Sequence, residues 1–276
     1  MIEQSNSPFD RLLKRLNLES PSKDKFIGGS GAGGVTANAR LFGGLVAAQA
    51  TMAALKSTTQ EFQLHSLHSY FLRPGRAQAD IHFEVTRSKD GRNFAVRNVM
   101  ALQGDTAIFQ LQASFMKPEA GVAHAPVMPK VAPPESLPNR DQLRGRKNWQ
   151  NMPIDVRMVD AITENKAQPA NQRIWIKAGG TLPTDPDIHT GFVVYASDRT
   201  LLDTAWRPHA DKGELVGASL DHSIWFHQPP NMDDWLLYDM TSPVAHGGRG
   251  LAFGHLFTVN GECVATVAQE GLLRIG

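Results

Sequence analysis

The sequence predicts an α+β protein made of two tandem units, each with one central helix wrapped by an antiparallel sheet. Two observations lead to this prediction. In each half, a nearly all-apolar helix is followed by segments in which apolar and polar residues alternate. In addition, a set of landmarks recurs at an offset of 157 residues, with identities at Gly91/Gly248, Arg92/Arg249, Ala95/Ala252, Gly104/Gly261 and Gln112/Gln269. Two copies of one unit imply a pseudo-twofold fold, so a site between them would use residues of both.

The first unit is predicted to span residues 1–117 and to begin with a short helix. Ser7 suits the N-cap of that helix, Pro8 suits its first position, and Asp10 completes a capping-box-like pattern. The central helix is predicted from Ala39 to about Leu55, because this stretch is apolar nearly all round. Alternating apolar residues then predict strands over residues 67–72, 81–87, 94–100 and 107–115.

A glycine-rich loop, Gly28 to Gly34, precedes the central helix. It contains Gly29-x-Gly31-x-x-Gly34, which matches a dinucleotide-binding fingerprint by its letters. That fingerprint follows a full strand, whereas only Phe26-Ile27 precedes it here, and Asn38 is predicted to cap the next helix soon afterwards. We therefore favour a loop beside a site over a nucleotide-binding loop.

A Pro-rich linker is predicted over residues 118–170, with a short helix near residues 140–149. The second unit follows over residues 171–276, and its central helix is predicted to contain residues 191–198 and to continue to about Trp206. Its strands are predicted at residues 173–177, 218–226, 235–242, 249–258 and 262–273, with a hairpin turn at Asn260-Gly261. One buried helix wrapped by long antiparallel strands is the pattern of a hotdog fold, so the chain is predicted to be a double hotdog.

Composition excludes several classes of function. The chain has 276 residues, 41% of them apolar, and a formal net charge of +1, which gives no indication of a nucleic-acid partner. Its one cysteine, Cys263, allows neither a disulfide framework nor a cysteine-based zinc site within one chain. The polar N-terminus does not resemble a signal peptide, and no apolar run is long enough to span a membrane. We therefore expect a cytoplasmic protein.

Asp198 is the strongest candidate for chemistry, because it follows an apolar stretch on a helix expected to be buried. A buried carboxylate costs several kcal/mol unless it is paired or protonated, and such groups often act as bases or nucleophiles. The alternative, a carboxylate on one wet stripe of the helix, is equally compatible with the sequence. Ser219 and Gln269 lie on strands expected to flank this helix and could orient a water, although each alone fits an ordinary strand residue.

The repeat indicates which copy would hold such a site. The first helix has an uncharged Gln49 near the position of Asp198, and the constant offset places Gln112 against Gln269. Only the second copy therefore combines a carboxylate, a hydroxyl and an amide, and we expect one working centre per chain.

Histidine-based sites are less favoured. His222 follows Asp221, but the sequence has no Gly-x-Ser-x-Gly elbow to complete a Ser–His–Asp triad. His65 and His68 are three residues apart on a predicted strand, where they point to opposite faces and make a poor metal pair. His246-Gly247-Gly248 is predicted to be a turn.

Several strings resemble the type II acyl-CoA thioesterase family over nearly the whole chain, in order. In the first half they are Leu41-Phe42-Gly43-Gly44, His65-Ser66-Leu67-His68-Ser69-Tyr70-Phe71-Leu72-Arg73-Pro74-Gly75 and Ser114-Phe115-Met116-Lys117-Pro118-Glu119. In the second half they are Tyr195-Ala196-Ser197-Asp198, Leu220-Asp221-His222-Ser223-Ile224-Trp225-Phe226-His227 and Ala268-Gln269-Glu270-Gly271.

The resemblance implies a double-hotdog fold, hydrolysis of fatty acyl-CoA to free acid and coenzyme A, and association into homo-oligomers. The catalytic Asp and Gln of the family fall on Asp198 and Gln269. The third position, usually a Thr in the family, is Ser219 here, which keeps the hydroxyl but loses the methyl group that restricts its rotamer. Leu45 is another departure, because a polar residue commonly follows the Gly-Gly pair.

The expected mechanism is attack by a water that Asp198, Ser219 and Gln269 hold, with Asp198 as general base and no metal or redox cofactor. Gly43 and Gly44 are candidate donors to the oxyanion. The same residues would also permit Asp198 to act as a nucleophile.

Two alternatives belong to other classes of function. One is a non-hydrolytic acyl-CoA-binding hotdog protein, which retention of all three polar positions disfavours. The other is a hotdog enoyl-CoA hydratase, for which Asp203 and His209 are the nearest acid–base pair, although Pro208 is predicted to end their helix.

Overall fold

The computed structural model describes residues 7–29, 40–146, 150, 152–161, 163 and 166–276. Its helices are α1 (Pro8–Leu16), α2 (Gly43–Lys56), α3 (Arg140–Leu143), α4 (Pro186–Ser197) and α5 (Leu201–Trp206). Its strands are β1 (Glu19–Ser22), β2 (Lys25–Gly28), β3 (Gln63–Phe71), β4 (Ile81–Asp90), β5 (Phe94–Gln103), β6 (Thr106–Met116), β7 (Ile154–Met158), β8 (Asn171–Ala178), β9 (Leu215–Ser219), β10 (Asp221–Phe226), β11 (Leu236–His246), β12 (Arg249–Thr258) and β13 (Cys263–Ile275). Among the helices of these residues, none has both the length and the apolar character that crossing a membrane requires.

The strands form one antiparallel sheet in the order β1-β2-β4-β5-β6-β3-β10-β13-β12-β11-β8-β7, and β9 pairs with the end of β13. The two halves meet where β3 pairs with β10, with Tyr70 opposite Asp221 and Ser66 opposite Trp225. Each half is a helix followed by long antiparallel strands, so the structure confirms the predicted α+β double-hotdog architecture.

The central helices α2 and α4 pack directly against each other in the core. A methyl group added at Gly44 would lie 2.8 Å from the carbonyl oxygen of Tyr195, and one added at Gly191 would lie 3.1 Å from the sulfur of Met52. Since the start of α2 meets the end of α4, the two helices run antiparallel. Their mutual burial explains why both sequences are apolar nearly all round.

The first central helix begins later than predicted. Ala39 and Asn38, expected to start and cap it, lie outside the described residues, and α2 begins at Gly43 after an extended Phe42. The backbone just before Phe42 is instead held by pairing between Arg40 and Arg76. Gly31 and Gly34 of the predicted glycine fingerprint also lie outside the described residues.

The second central helix begins earlier than predicted and is interrupted. Pro186 occupies the first turn of α4, and the Asp185 side chain caps it by accepting a hydrogen bond from Asp187 N at 3.0 Å. The helix ends at Ser197, and α5 is a separate helix. The predicted continuous helix to Trp206 was therefore wrong at this break, which places Asp198 at a helix end.

Two strand regions were not predicted from the sequence. The hairpin of β1 and β2 extends the first half beyond β4, turning at Asp24 with a positive φ of 60°. Within the segment predicted as a linker, β7 pairs with β8 at the edge of the sheet. The chain before β7 also packs on this half, since Trp175 Nε1 donates to Ala132 O at 3.0 Å.

The strands of the two units do not keep the constant offset of the sequence repeat. His68 and Ser223 lie opposite each other where the two halves meet. His68 also lies opposite Gln112, whereas Ser223 lies opposite Ala268, so the structural counterpart of Gln269 is Ala113. Gln112 is exposed and points away from the helices, which makes the predicted match of Gln112 with Gln269 wrong.

The proposed match of Gln49 with Asp198 was also wrong. Gln49 lies in the middle of α2 and donates to Arg15 O at 3.0 Å and Gly29 O at 3.2 Å. The residue that ends α2 as Asp198 ends α4 is Ser57. An uncharged residue still stands at the position of the carboxylate in the first copy.

Candidate active site

Asp198 is the C-cap of α4, where the chain leaves the buried helix before α5 begins. Its side chain is half-buried and faces β9 and β13, which carry its hydrogen-bond partners Ser219 and Gln269. The interruption between α4 and α5 thus brings a carboxylate to the inner surface of the sheet.

Ser219 and Gln269 complete a compact polar cluster around this carboxylate. Ser219 Oγ donates to Asp198 Oδ1 at 3.2 Å, and Gln269 Nε2 donates to the same oxygen at 2.5 Å. Gln269 Nε2 also donates to Ser219 Oγ at 3.0 Å. The structure therefore brings together all three residues that the sequence singles out.

The irregular pairing of β13 explains the position of Ser219. Strand β9 pairs with β13 at Gly271, strand β10 pairs with it at Ala268, and Leu220 lies at the break between β9 and β10. The break turns Ser219 towards Gln269, which is fully buried and faces the helices. A single predicted strand over residues 218–226 did not include this break.

The start of α2 lies beside the other carboxylate oxygen. A methyl group added at Gly43 would lie 3.1 Å from Asp198 Oδ2 and 2.8 Å from the ring of Phe71. The N-cap residue of the helix, Phe42, makes no side-chain capping hydrogen bond. The first N–H groups of a helix have no acceptor within it, and they carry its partial positive charge. The first unit therefore presents the backbone donors of Gly43 and Gly44 to a site whose side chains come from the second.

Gln269 offers one further polar atom. Both hydrogens of its amide nitrogen are directed at Asp198 and Ser219, whereas Oε1 is buried and has no donor among the described residues. A buried acceptor without a donor is costly. A water or substrate group that donates to this oxygen would remove that cost.

His222 and Tyr238 lie behind the cluster and hold the last turn of α4. His222 Nε2 is 2.9 Å from Ser197 Oγ, and the Tyr238 hydroxyl donates to Ser197 O at 3.2 Å. Burial lowers the pKa of His222, although the carboxylates of Asp198 and Asp221 oppose this effect. Burial also raises the pKa of the Tyr238 phenol well above its usual range. Both groups are thus held neutral next to the site.

The sequence suggests Asp221 as the partner of His222. The structure does not support this pairing. Asp221 Oδ1 instead accepts a hydrogen bond from Glu270 N at 2.7 Å. The signal for the observed role is the alternation along β10, where His222 shares the inward face with Ile224 and Phe226.

The remaining polar candidates are dispersed. His65 lies 2.8 Å from Ser114 Oγ, and His68 lies 3.1 Å from Ser223 Oγ. Asp203 Oδ2 lies 3.3 Å from Arg140 Nη2. The ring of His209 packs on Trp206 instead, with the ring centroids 6.1 Å apart. These side chains do not assemble into a second catalytic cluster. His246-Gly247-Gly248 forms the predicted turn, with positive φ at both glycines.

A cavity of about 550 Å³ lies at the opposite end of the helix pair, where α2 ends and α4 begins. It is the pseudo-twofold counterpart of the Asp198 end, since α2 ends there as α4 ends at Asp198. Ser57 replaces the carboxylate, and it instead accepts a hydrogen bond from buried Arg97 at 3.1 Å. The polar cluster is thus confined to one end.

Models of two protein families match the chain over separate ranges. One, described as acyl-CoA thioesterase, matches residues 148–272, and the other, described as acyl-CoA thioesterase N-terminal domain, matches residues 32–116. The chain is also 36% identical over 282 residues to acyl-coenzyme A thioesterase 8 of Mus musculus, which covers 94% of this chain and 88% of the relative. The chain belongs to the acyl-CoA thioesterase family.

Bacterial members of the acyl-CoA thioesterase family are equally similar. Acyl-CoA thioesterase 2 of Haemophilus influenzae is 37% identical over 252 residues, covering 85% of this chain and 88% of the relative. The crystal structure of acyl-CoA thioesterase II TesB2 from Mycobacterium marinum superposes with a TM-score of 0.82 at 38% identity, over 96% of this chain and 98% of the other. The resemblance to type II members of the family is therefore confirmed.

Proposed function

We propose that this protein hydrolyses fatty acyl-CoA thioesters to free acid and coenzyme A. The observation that supports this most directly is the convergence of Asp198, Ser219 and Gln269 beside the uncapped start of α2. A base, a group that orients water and backbone N–H donors are the components that thioester hydrolysis needs. Membership of the acyl-CoA thioesterase family supports the same activity.

In the proposed mechanism, Asp198 accepts a proton from a water that Ser219 and Gln269 orient. The water oxygen bonds to the thioester carbonyl carbon, and the N–H groups of Gly43 and Gly44 stabilise the resulting oxyanion. Collapse of the intermediate breaks the carbon–sulfur bond, and the leaving thiolate takes the proton from Asp198. Water and thioester are thus converted to acid and thiol without any other reactant.

Asp198 acting as a nucleophile is the alternative that the same geometry permits. Its carboxylate would form an anhydride with the acyl group, which water would then hydrolyse. A single turnover in ¹⁸O-labelled water distinguishes direct attack by water from an anhydride that water opens at the Asp198 carbon. Direct attack by water labels the acid released in the first turnover, whereas hydrolysis of the anhydride at the Asp198 carbon leaves that acid unlabelled.

Replacement of Asp198 by Asn tests the proposal. Release of free thiol from dodecanoyl-CoA should fall by about 10²–10⁴-fold, because the amide cannot act as a base. Asp211→Asn, at an exposed position, is the matched control and should retain full activity. Undiminished thiol release by a folded Asp198→Asn protein would remove Asp198 from the mechanism.

Binding without hydrolysis and hydration of an enoyl-CoA are the competing functions. Asp203 and His209 have different partners, Arg140 and Trp206, which disfavours the hydratase. Incubation of the protein with dodecanoyl-CoA and with 2-dodecenoyl-CoA decides among the three. Stable binding without thiol release would identify a binding protein, and a 3-hydroxyacyl product would identify a hydratase.

We also propose that the chain forms homo-oligomers through the outer face of the β3–β10 junction. Tyr70 is 56% exposed and Trp225 is 37% exposed on these neighbouring strands. The Trp225 ring packs edge-on against His68, with the ring centroids 5.1 Å apart. Exposed aromatic clusters of this kind are typical of protein interfaces. Light scattering of the wild type and of a Tyr70→Ser/Trp225→Ser variant tests this, and equal masses would contradict the proposed interface.

A cytoplasmic location is part of the proposal. The one cysteine, Cys263, is buried and unpaired, as is common in a reducing compartment. Fractionation of cells that produce the protein, followed by immunoblotting, measures the location directly, and recovery outside the cytoplasmic fraction would contradict it.

A further inference from the structure

The two ends of the central helix pair are built from corresponding elements but differ in charge. At the end without the polar cluster, β10 ends with Phe226, and the string Phe226-His227-Gln228-Pro229 lines the 550 Å³ cavity. At the Asp198 end, β3 ends with Phe71, and the corresponding string is Phe71-Leu72-Arg73-Pro74. Gln228 lines its cavity. Its counterpart Arg73 follows Phe71, whose ring borders Gly43 beside Asp198.

Two further arginines lie beside Arg73. Arg40 pairs with Arg76 through an isolated backbone bridge, and Leu41 N donates to Gly75 O at 2.9 Å. These contacts join the loop after β3 to the segment that leads into α2. Arg40 precedes Gly43 by three residues, so their Cα atoms are at most about 11 Å apart. Gly43 in turn lies beside Asp198.

The guanidinium groups of these arginines are available to an anion. All three residues are exposed, and none forms an ion pair with a carboxylate of the described residues, including Asp80 and Asp105 at the same end. Arg73 is held in place, because its Nη1 donates to Ala107 O at 2.9 Å. Its remaining N–H groups can donate to phosphate oxygens, for which guanidinium is well suited.

The cavity at the opposite end is lined by acidic rather than basic side chains. Glu119, Asp185 and Asp187 line this cavity, and no Lys or Arg is among the described residues that line it. The start of α4 offers no free donor comparable to Gly43, because Pro186 has no N–H and Asp187 N donates to Asp185. A polyanion would be repelled from this end and attracted to the other.

We propose that Arg40, Arg73 and Arg76 bind the phosphate groups of coenzyme A and thereby direct acyl-CoA to the one end of the helix pair that carries the catalytic cluster. This inference rests on the proposed thioesterase function and assigns a phosphate-binding surface to it. The pantetheine arm then runs from the arginines past Phe71 and the start of α2 to Asp198. The acidic end of the helix pair disfavours unproductive binding.

The test compares substrates with and without phosphates. Kinetic constants are measured for dodecanoyl-CoA and for dodecanoyl-N-acetylcysteamine, with wild type, Arg73→Gln and the Arg40→Gln/Arg73→Gln/Arg76→Gln triple variant. For dodecanoyl-CoA, kcat/KM should fall about tenfold or more in the triple variant, mainly through KM, since each lost contact is a hydrogen bond between charged groups. For the phosphate-free thioester it should stay within about twofold. Added salt should lower the kcat/KM of the wild type for dodecanoyl-CoA towards the value of the triple variant.

Arg144→Gln is the matched control. Arg144 is an exposed arginine that lines a second, smaller cavity of about 310 Å³ together with Arg140 and Arg207. It should leave kcat/KM for dodecanoyl-CoA unchanged. If kcat/KM for dodecanoyl-CoA falls with Arg144→Gln and not with the triple variant, the phosphates bind at that cavity and the proposal is overturned.

Two other outcomes also decide. Equal losses with both thioesters in the triple variant would show that the arginines support the fold or the site rather than phosphate binding. Calorimetric titration of free coenzyme A separates this inference from the proposed function, because it needs no turnover. Weaker binding by the triple variant supports the arginine surface even if no thioester is hydrolysed, and unchanged binding overturns it.

Discussion

At the residue scale, the position of Ser219 explains how a shorter side chain can replace threonine. Its hydroxyl donates to Asp198 Oδ1 and accepts from Gln269 Nε2. Both hydrogen bonds therefore need only the hydroxyl group, which serine and threonine share. The methyl group of threonine would limit the rotamers of the side chain without adding a hydrogen bond. Here the bond from Gln269 already restricts the hydroxyl.

Substitutions at Ser219 should separate these two contributions. Ser219→Ala leaves one N–H of Gln269 without its partner and removes a donor to the carboxylate, so kcat/KM for dodecanoyl-CoA should fall about 10–100-fold. Ser219→Thr retains the hydroxyl and should stay within about threefold of the wild type. Assays of thiol release measure both. An alanine variant as active as the threonine variant would show that the hydroxyl does not contribute.

His222 makes the stability of the protein dependent on pH. Burial lowers its pKa in the folded state, whereas in the unfolded chain the pKa is about 6.5. As the pH falls, His222 is therefore protonated in the unfolded chain at a higher pH than in the folded protein. The stability that neutral His222 contributes is fully present above about pH 6.5 and is lost as the pH falls towards the folded-state pKa.

We therefore expect the melting temperature of the wild type to decrease between pH 7 and pH 5.5. His222→Gln keeps a donor for Ser197 and does not titrate, so its decrease should be smaller. Part of the decrease should persist, because burial also lowers the pKa of His65 and His227. His124→Gln, at an exposed position, is the control. The same decrease in the His222→Gln and wild-type proteins would contradict this account.

At the element scale, the contact between α2 and α4 depends on a glycine that cannot be enlarged. A methyl group at Gly44 would lie 2.8 Å from the backbone oxygen of Tyr195 and 2.7 Å from the ring of Phe42. The backbone cannot move aside as a flexible side chain can. Gly44→Ala should therefore lower the free energy of unfolding by about 1–3 kcal/mol, as overpacking usually does.

Denaturant unfolding measures this effect, with Gly121→Ala as the control. A methyl group at Gly121 has no neighbour within 4 Å, so that variant should change stability by no more than about 0.5 kcal/mol. If both variants unfold at the same denaturant concentration, the helices are not in the tight contact described.

The sequence predicts the elements of this fold better than their ends. Uniform apolarity identified α2 and α4, because both are buried against each other and against the sheet. It could not locate the start of α2, which is set by long-range pairing of Arg40 with Arg76. Strand β7 was missed because it is short, lies among prolines and pairs only at the edge of the sheet, where periodicity is weak.

The candidate site was predicted by residue type but not by geometry. Asp198, Ser219 and Gln269 were named from the buried-helix pattern and the family resemblance. Their meeting depends on the helix break after Ser197 and the strand break at Leu220. An alignment at constant offset matched Gln269 with Gln112, although the strand pairing matches Gln112 with Ala268. A shift of one residue reverses the face of the sheet on which a side chain lies, so Gln112 is exposed and Gln269 is buried.

At the scale of the whole molecule, the duplication has divided the work between the copies. The second copy supplies the carboxylate, hydroxyl and amide, and the first supplies the start of α2 and the arginine-bearing loop after β3. The copies are joined by the β3–β10 pairing and by the apolar contact of α2 with α4. Neither copy alone holds all the groups of the proposed active site.

Division of the chain into two fragments between Lys117 and Pro118 should therefore abolish activity, and reassociation of the fragments should restore it. The fragment of residues 118–276 keeps Asp198, Ser219 and Gln269 but lacks Gly43 and Gly44, and it exposes one edge of β10 and the apolar face of α4. We expect each fragment alone to be inactive and prone to association, since paired strand edges and apolar helix faces become exposed. Co-expression of both fragments should restore thiol release from dodecanoyl-CoA, because the same surfaces reassociate. Full activity in the isolated 118–276 fragment would show that the first copy contributes no donors to the reaction.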